Sequence, residues 1–265
     1  MMKRCVKMTS DLISIKILRS ILYQDNARWN HPVNYYPYNS IYFIRGGDGH
    51  IRVGDTQWDL LPGYAYLIPA NTMFSCWCDR FIDKLYVDVN VEILPGYDVF
   101  SPLDTPRQIE LGLPEIEAIL SANDSSSLKS MLYLKGSVTT AISLFLDEGH
   151  MVPDREMLQF QDLLLTIEKN LSAKLTVAEI ARIHNYNPTV LSRRFKRVFS
   201  CSLKQYIERL LLDRIKQELL VTDKSIKEIA AQYQFCDPYY LSNFFKKYVT
   251  YSPKQYRKVS RPMGS

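Results

Sequence analysis

Two textures of hydrophobic spacing divide the chain. From residue 39 to 77, "NSIYFIRGGDGHIRVGDTQWDLLPGYAYLIPANTMFSCW" sets short apolar runs between turn signals. The signals are Gly46-Gly47-Asp48-Gly49, Gly54-Asp55 and Pro62-Gly63, and the next run, "KLYVDVNVEI", alternates apolar and polar residues. Regular short strands with Gly and Pro turns predict a small β-barrel or sandwich over about 10–105. After Pro106 the period lengthens. "PEIEAILSA" and "LKSMLYLKGSVTTAISLFLDE" space their apolar residues as helices do, and Leu128, Met131, Leu132, Leu134, Val138, Ile142 and Phe145 fall near one face. These helices are expected over about 113–148. "GHMVPD", residues 149–154, breaks the pattern, and almost everything beyond it is spaced as helix, with no β alternation. The expected class is therefore α+β in two domains, 1–150 and 156–260, with a linker at 151–155.

The helical half repeats itself. "SLKQY" at Ser202–Tyr206 returns as "SPKQY" at Ser252–Tyr256. Glu179-Ile180-Ala181 matches Glu228-Ile229-Ala230 at an offset of 49, and Leu191/Leu241, Ser192/Ser242, Phe195/Phe245 and Lys196/Lys246 match at 50. A repeat of this length marks a duplicated supersecondary unit. In the first copy Thr176 and Glu179 have capping-box spacing, and Val177, Ile180 and Ala181 form an inward face. "NYNP" breaks the helix: Asn185 or Asn187 tolerates left-handed backbone, and Pro188 suits the first turn of the next helix. "TVLSRRFKRVF" then turns Val190, Leu191 and Phe195 inward and Ser192, Arg193, Lys196 and Arg197 outward. The pattern is helix-turn-helix, expected over about 175–199 and again over 225–249. A helix fits the DNA major groove, where Arg grips guanine and Asn grips adenine bidentately. Arg193 and Asn243 hold equivalent places. Lys196, Arg197, Lys246 and Lys247 lie a turn further on, where phosphates run. The stretch between the units makes a helix of about 30 Å, close to the ~34 Å between successive major grooves on one face of DNA.

Charge agrees with this division. Residues 1–150 hold 13 Lys and Arg against 17 Asp and Glu, a net −4, while 151–265 hold 20 against 11, a net +9. The basic half suits a polyanion. The 265 residues contain no apolar run near the ~20 that a membrane span needs, and the N-terminus does not read as a signal peptide. Five cysteines, with no CxxC spacing, read as thiols in a reducing cytoplasm. His31, His50, His150 and His184 form no HxH pair, so neither a metal site nor another cofactor is expected.

"LSRRFKRVF", "SLKQYIERLLLDRIKQELL", "TDKSIKEIAAQYQF" and "DPYYLSNFFKKYVTYSPKQYRK" resemble the AraC/XylS family of transcription regulators over roughly residues 156–258. The chain departs from the usual pattern at Asn185 and Gln234, where Gly is common, and at Ile215 and Glu218 in the connecting helix. The resemblance implies base-facing Thr189, Ser192 and Arg193 in the first unit and Tyr239, Tyr240 and Asn243 in the second, with Asn187 completing the DNA-facing set. It also implies no enzymatic activity, double-stranded DNA as partner, a homodimer to which the 128–147 helix contributes, RNA polymerase as a candidate partner, and action as an activator. "IRGGDGHIRVGD" and "LLPGYAYLIP" resemble the family's cupin-like sensor barrel. Aromatic rings with polar tips suit a small molecule, a sugar or another metabolite. The residues taken for that site are Tyr36, Tyr38, Tyr42, Arg45, Trp58, Tyr66, Phe74, Trp77 and Tyr86. Two alternatives stay open: a regulator of the same family with no effector, and a cupin-domain protein whose helical tail docks to protein.

Overall fold

The computed structural model describes residues 13–26, 29–147 and 155–260. Eight strands come first: β1 (Ser14–Asn26), β2 (Asn30–Tyr35), β3 (Asn39–Val53), β4 (Thr56–Leu60), β5 (Tyr64–Ile68), β6 (Met73–Leu94), β7 (Tyr97–Asp98) and β8 (Arg107–Glu110). They form one antiparallel sheet in the order β1-β6-β3-β5-β8, with β2 and β7 paired to β6 and β4 paired to β3. Turns lie at Gly54 and Gly63, both at positive φ, where the sequence places them.

The glycines at 46–49 behave differently. They were expected to form a turn; instead β3 runs through them and bulges against β6, with register shifts at Ile44/Gly46 and Gly47/Gly49. Gly47 has φ 107°, and a Cβ there would lie 2.3 Å from the Phe81 carbonyl oxygen. The glycines serve close strand approach at a bulge rather than chain reversal.

Side chains alternate between the two faces of the sheet, as pleating requires. Ile41 and Phe43 on β3, and Leu85, Val87, Val89 and Val91 on β6, pack against two helices, α1 (Leu113–Asn123) and α2 (Leu128–Phe145). Ser127 caps α2 by accepting from the Ser130 amide. Only the C-terminal half of the predicted apolar stripe on α2 is covered: Val138, Ala141, Ile142 and Phe145 are buried, while Leu128, Met131 and Leu132 are exposed.

The other face carries Tyr42, Ile44 and Tyr86 and meets the helical half of the chain. That half contains α3 (Arg155–Leu158), α4 (Gln161–Lys169), α5 (Val177–Ile183), α6 (Pro188–Phe199), α7 (Leu203–Val221), α8 (Ile226–Gln232), α9 (Pro238–Tyr248) and α10 (Pro253–Ser260). Of the expected linker 151–155, only Arg155 falls within the described residues, and it opens α3. Leu211, Leu212, Ile215, Leu219 and Leu220 of α7 belong to the same buried cluster as Tyr36, Tyr38 and Tyr86 of the sheet.

The repeated phrase has a structural meaning. Ser202 and Gln205 form a reciprocal capping box at the head of α7, and Ser252 and Gln255 exchange the same bonds at the head of α10. The tyrosine that ends each phrase is buried edge-on to the phenylalanine of the preceding helix. Phe195–Tyr206 and Phe245–Tyr256 both have ring centroids 5.4 Å apart.

Candidate nucleic-acid interface

In the first helix-turn-helix, Thr176 caps α5 by accepting from the Glu179 amide. The turn passes through Asn185 at φ 54°, and Asn187 caps α6, its side-chain oxygen accepting from the Thr189 and Val190 amides at 3.0 and 3.3 Å. Pro188 opens the helix. Ile180, Ala181, Leu191 and Phe195 are buried. Val190, expected inward, is 40% exposed, because Leu191 and Phe195 already occupy the contact with α5 and Val190 falls to their side. The second unit repeats the geometry. Gln234 has φ 55°, Asp237 caps α9 through the Tyr240 amide at 2.7 Å, and Ile229, Ala230, Leu241 and Phe245 are buried.

On α6, Thr189, Arg193, Lys196 and Arg197 are exposed and Ser192 is half-buried. On α9, Tyr239 and Tyr240 are 74% and 56% exposed, and Asn243, Lys246 and Lys247 are exposed beside them. Two of the basic side chains in the first unit touch α3 or its end: Arg197 donates to Glu156 and Arg194 to Gln159, all at 3.2–3.3 Å. The Arg197–Glu156 pair is largely exposed, so it holds the guanidinium weakly and leaves it available to a phosphate. Between the units a cleft of about 460 Å³ is lined by Leu175, Val177, Lys204, Ile207, Phe235 and Phe244. At 1.5 Å per residue α7, which joins the units, is about 28 Å long.

Glu218 of α7, at a position where the sequence departs from the usual pattern, ties α7 to the second unit. It accepts from Lys224 Nζ at 3.0 Å and Gln232 Nε2 at 2.9 Å. Those donors hold its carboxyl below the ordinary range even though burial opposes this.

The sequence-predicted effector residues separate into two groups. Tyr36, Tyr38, Tyr42, Phe74 and Tyr86 gather on the face where α7 docks. Tyr36 stacks on Tyr38 at 5.4 Å and Phe74 lies edge-on to Tyr36 at 5.8 Å. Trp58 packs half-buried at the margin of the same cluster. Arg45 forks onto Asp83 at 2.8 and 3.1 Å, Tyr66 donates to the Asp59 carbonyl at 2.7 Å, and Trp77 lies against His50 and Arg52. Arg45 and Trp77 stand apart from the cluster's interior, whereas Tyr66 is fully buried within the cluster.

Residues not anticipated from sequence complete the aromatic group. Lys84 is buried with its Nζ 3.5 Å from the ring centroids of both Trp29 and Tyr42, and burial lowers its pKa to about 7. Arg19 pairs with buried Asp88 at 2.5 Å and also reaches the Tyr38 hydroxyl and the Leu220 carbonyl. With these side chains in place, the space left among the rings is about 20 Å³, room for one water.

The same strand continues the row toward α7. Asn90 pairs with Gln217, and Glu92 with Arg214 at 2.9 Å; Arg214 also reaches Glu168 on α4 at 2.7 Å. Tyr206 donates to the Pro95 carbonyl. The helix that joins the two helix-turn-helix units is thus bound to the sheet by a line of polar contacts.

Comparison with known proteins agrees with this geometry. A family model described as a helix-turn-helix domain matches residues 164–259. HTH-type transcriptional activator AarP of Providencia stuartii is 32% identical over 108 residues, covering 39% of this chain and 80% of that protein. The chain belongs to the AraC/XylS family of transcription regulators. The melibiose operon regulatory protein of Escherichia coli K12 is 32% identical over 161 residues, 61% of this chain; the match spans about half of that relative's length (50%). Among solved structures, ToxT from Vibrio cholerae is similar over 94% of this chain and 99% of its own, at 12% identity and a TM-score of 0.48. Among the described residues no helix of this family member is long and apolar enough to cross a membrane, and no group of three His, Cys, Asp or Glu side chains could hold a metal ion.

Proposed function

We propose that the protein is a sequence-specific DNA-binding transcription activator, controlled by a small molecule bound in its N-terminal half. The observation that carries this is the pair of helix-turn-helix units in one register, each exposing the polar edge of its second helix. Thr189, Ser192, Arg193, Tyr239, Tyr240 and Asn243 are assigned to base edges, and Asn187, Lys196, Arg197, Lys246 and Lys247 to positioning on the backbone. Residues 1–150, a cupin-like barrel with its two helices, sense the effector and dimerise; 151–155 link them to the DNA-binding domain, 156–260. The protein acts in the cytoplasm and is not an enzyme; its partners are duplex DNA, a second copy and RNA polymerase.

An effector on the α7-docking face acts on the DNA-reading helices through α7 itself. The mechanism is a shift between populations with α7 differently held. Similarity to a melibiose operon regulator supports a sugar. The small space among the aromatic rings favours a second reading, a family member with a filled interior and no effector; in that case no metabolite changes DNA affinity. Selection of binding sites from a random duplex pool tests the main reading. A defined consensus is expected, with binding that weakens steeply as salt rises. Loss of Arg193 should cost about 1–3 kcal/mol and relax one base position; recovery of no consensus would refute DNA reading.

A further inference from the structure

We propose that Lys84 is a covalent capture site for one- or two-carbon aldehydes, its amine forming an imine in the small cavity beside Trp29, Tyr42 and Tyr86. The site lies within the sheet half of the chain, and its chemistry is independent of DNA reading.

The surroundings of the amine set it apart. Nζ lies 3.5 Å from the ring centroids of Trp29 and Tyr42 and 5.9 Å from that of Tyr86. Among the described residues it has neither an ion pair nor a hydrogen bond, and Cys76, Asp88 and Cys78 act on it only through space. Asp88, the one carboxylate lining the cavity, is already taken by Arg19 at 2.5 Å and by the Ser40 hydroxyl at 2.6 Å. A lysine desolvated in an apolar pocket, with no partner to hold its proton, is the form in which this side chain attacks carbonyl groups. Burial brings its pKa down to about 7. About half of it is then free amine at neutral pH, against fewer than about one in a thousand for an exposed lysine. Cys76 lines the same cavity, but burial raises its thiol to about 12, so it holds almost no thiolate to compete.

Room and charge set the class. The space is about 20 Å³, enough for a group little larger than water, and half-buried Tyr23 and His31 on its wall give access from solvent. In the reaction the amine lone pair attacks the carbonyl carbon, a C–N bond forms, and the nitrogen gives a proton to the oxygen. The hydroxyl then leaves as water, taking one proton from solvent, and a C=N bond remains. Amine, aldehyde and one proton thus become an iminium ion and water, with no oxidant or reductant.

The product suits its surroundings. An iminium ion is a cation, and the ring faces about Nζ stabilise a cation. Acylation would remove that charge, and a carbamate would invert it near Asp88. The cavity also borders the α7 contact, because Arg19 on its wall reaches the Leu220 carbonyl of α7 at 3.4 Å.

The test is labelling of the full chain at neutral pH with formaldehyde, glycolaldehyde or benzaldehyde, each trapped with cyanoborohydride and located by peptide mass spectrometry. Formaldehyde and glycolaldehyde are expected to alkylate Lys84 at least tenfold faster than exposed Lys196 and Lys246, and benzaldehyde is expected to leave it untouched. In urea that unfolds the chain the advantage of Lys84 should vanish. A Lys84 that reacts no faster than those two lysines in the folded chain overturns the proposal, and so does an advantage that persists in urea. Preference for benzaldehyde overturns the size class. A measurement without reductant accompanies the labelling: glycolaldehyde should raise the melting temperature of wild type and leave that of Lys84→Met unchanged. An equal rise in both proteins overturns the assignment to Lys84.

Discussion

Asn90 on β6 and Gln217 on α7 hold each other through two amide hydrogen bonds of 3.1 Å, one in each direction, and both side chains are buried. Gln217 also donates to the Pro37 carbonyl at 3.1 Å. Gln217→Leu therefore strands a buried amide and a carbonyl at once. The expected loss is about 1–3 kcal/mol, the cost of unpaired buried polar groups. Adding Asn90→Leu removes the stranded amide, so the double variant should lose less than the sum of the two single losses. Urea unfolding of the four proteins in a double-mutant cycle measures the difference.

The turns of the two DNA-reading units offer a stabilising change. Gln234 sits at φ 55°, where a residue with a Cβ is strained by roughly 1–2 kcal/mol. Gln234→Gly removes the strain and pays back part of it in chain entropy. The net gain expected is about 0.5–1 kcal/mol. Asn185, at φ 54°, tolerates that backbone better, so Asn185→Gly should gain less. Thermal melts of the two variants should rank in that order, with DNA affinity unchanged.

Much of this architecture was legible in the sequence for a physical reason. Buried positions at fixed spacing leave a period, and a duplicated unit leaves it twice: Leu191 and Leu241, Phe195 and Phe245, Ile180 and Ile229 are all buried where the repeat placed them. The β-strands were legible as short apolar runs between turn residues, even where both faces are covered, as in β5. β6 misleads in one respect. In "KLYVDVNVEI" the polar residues Lys84, Asp88, Asn90 and Glu92 alternate with apolar ones, as on a solvated face. Yet Lys84, Asp88 and Asn90 are buried, Glu92 pairs with Arg214, and the face receives α7. Alternation reports that two faces differ, not what covers the polar one. The nearest sequence signal was the rarity of Lys and Asp in a strand this apolar. The glycine run at 46–49 misleads similarly, because bulges and turns use the same residue.

Lys84 should leave a mark on the pH dependence of stability. Its ordinary pKa of 10.5 falls to about 7 in the folded chain because burial disfavours the ammonium. Between about pH 7 and 10.5 the unfolded chain binds this proton and the folded chain does not. Stability from this group therefore rises as pH increases through that window, and the full penalty is present below about pH 7. Lys84→Met keeps the contact with Trp29 and Tyr42 and removes the titration. The variant should be more stable than wild type at pH 7, by about 1–4 kcal/mol if it follows other hydrophobic replacements of buried charge. Its advantage should shrink toward pH 10. Guanidinium unfolding at pH 7, 8 and 9 checks both sign and slope; an advantage that grows with pH would contradict the assignment.

The uncovered half of α2 gives the last prediction. Leu128 is 72% exposed, and Met131 and Leu132 are each 61% exposed, on the helix whose other end is buried against the sheet. Nothing lies within 4 Å of where a Gly136 Cβ would be, and a groove of about 350 Å³ runs along Tyr133, Gly136, Thr140 and α1. Contiguous apolar surface of this kind on a folded chain marks an interaction site. A second α2 would supply matching leucines and need no polar partner, so the proposed homodimer is expected to close here. Leu128→Glu/Leu132→Glu alters only exposed positions and should leave the melting temperature within a few degrees of wild type. It should raise the dimer dissociation constant at least tenfold in sedimentation equilibrium. Because two half-sites are then engaged independently, affinity for a two-site duplex should fall while affinity for a single half-site stays the same. A variant that remains dimeric would move the interface away from α2.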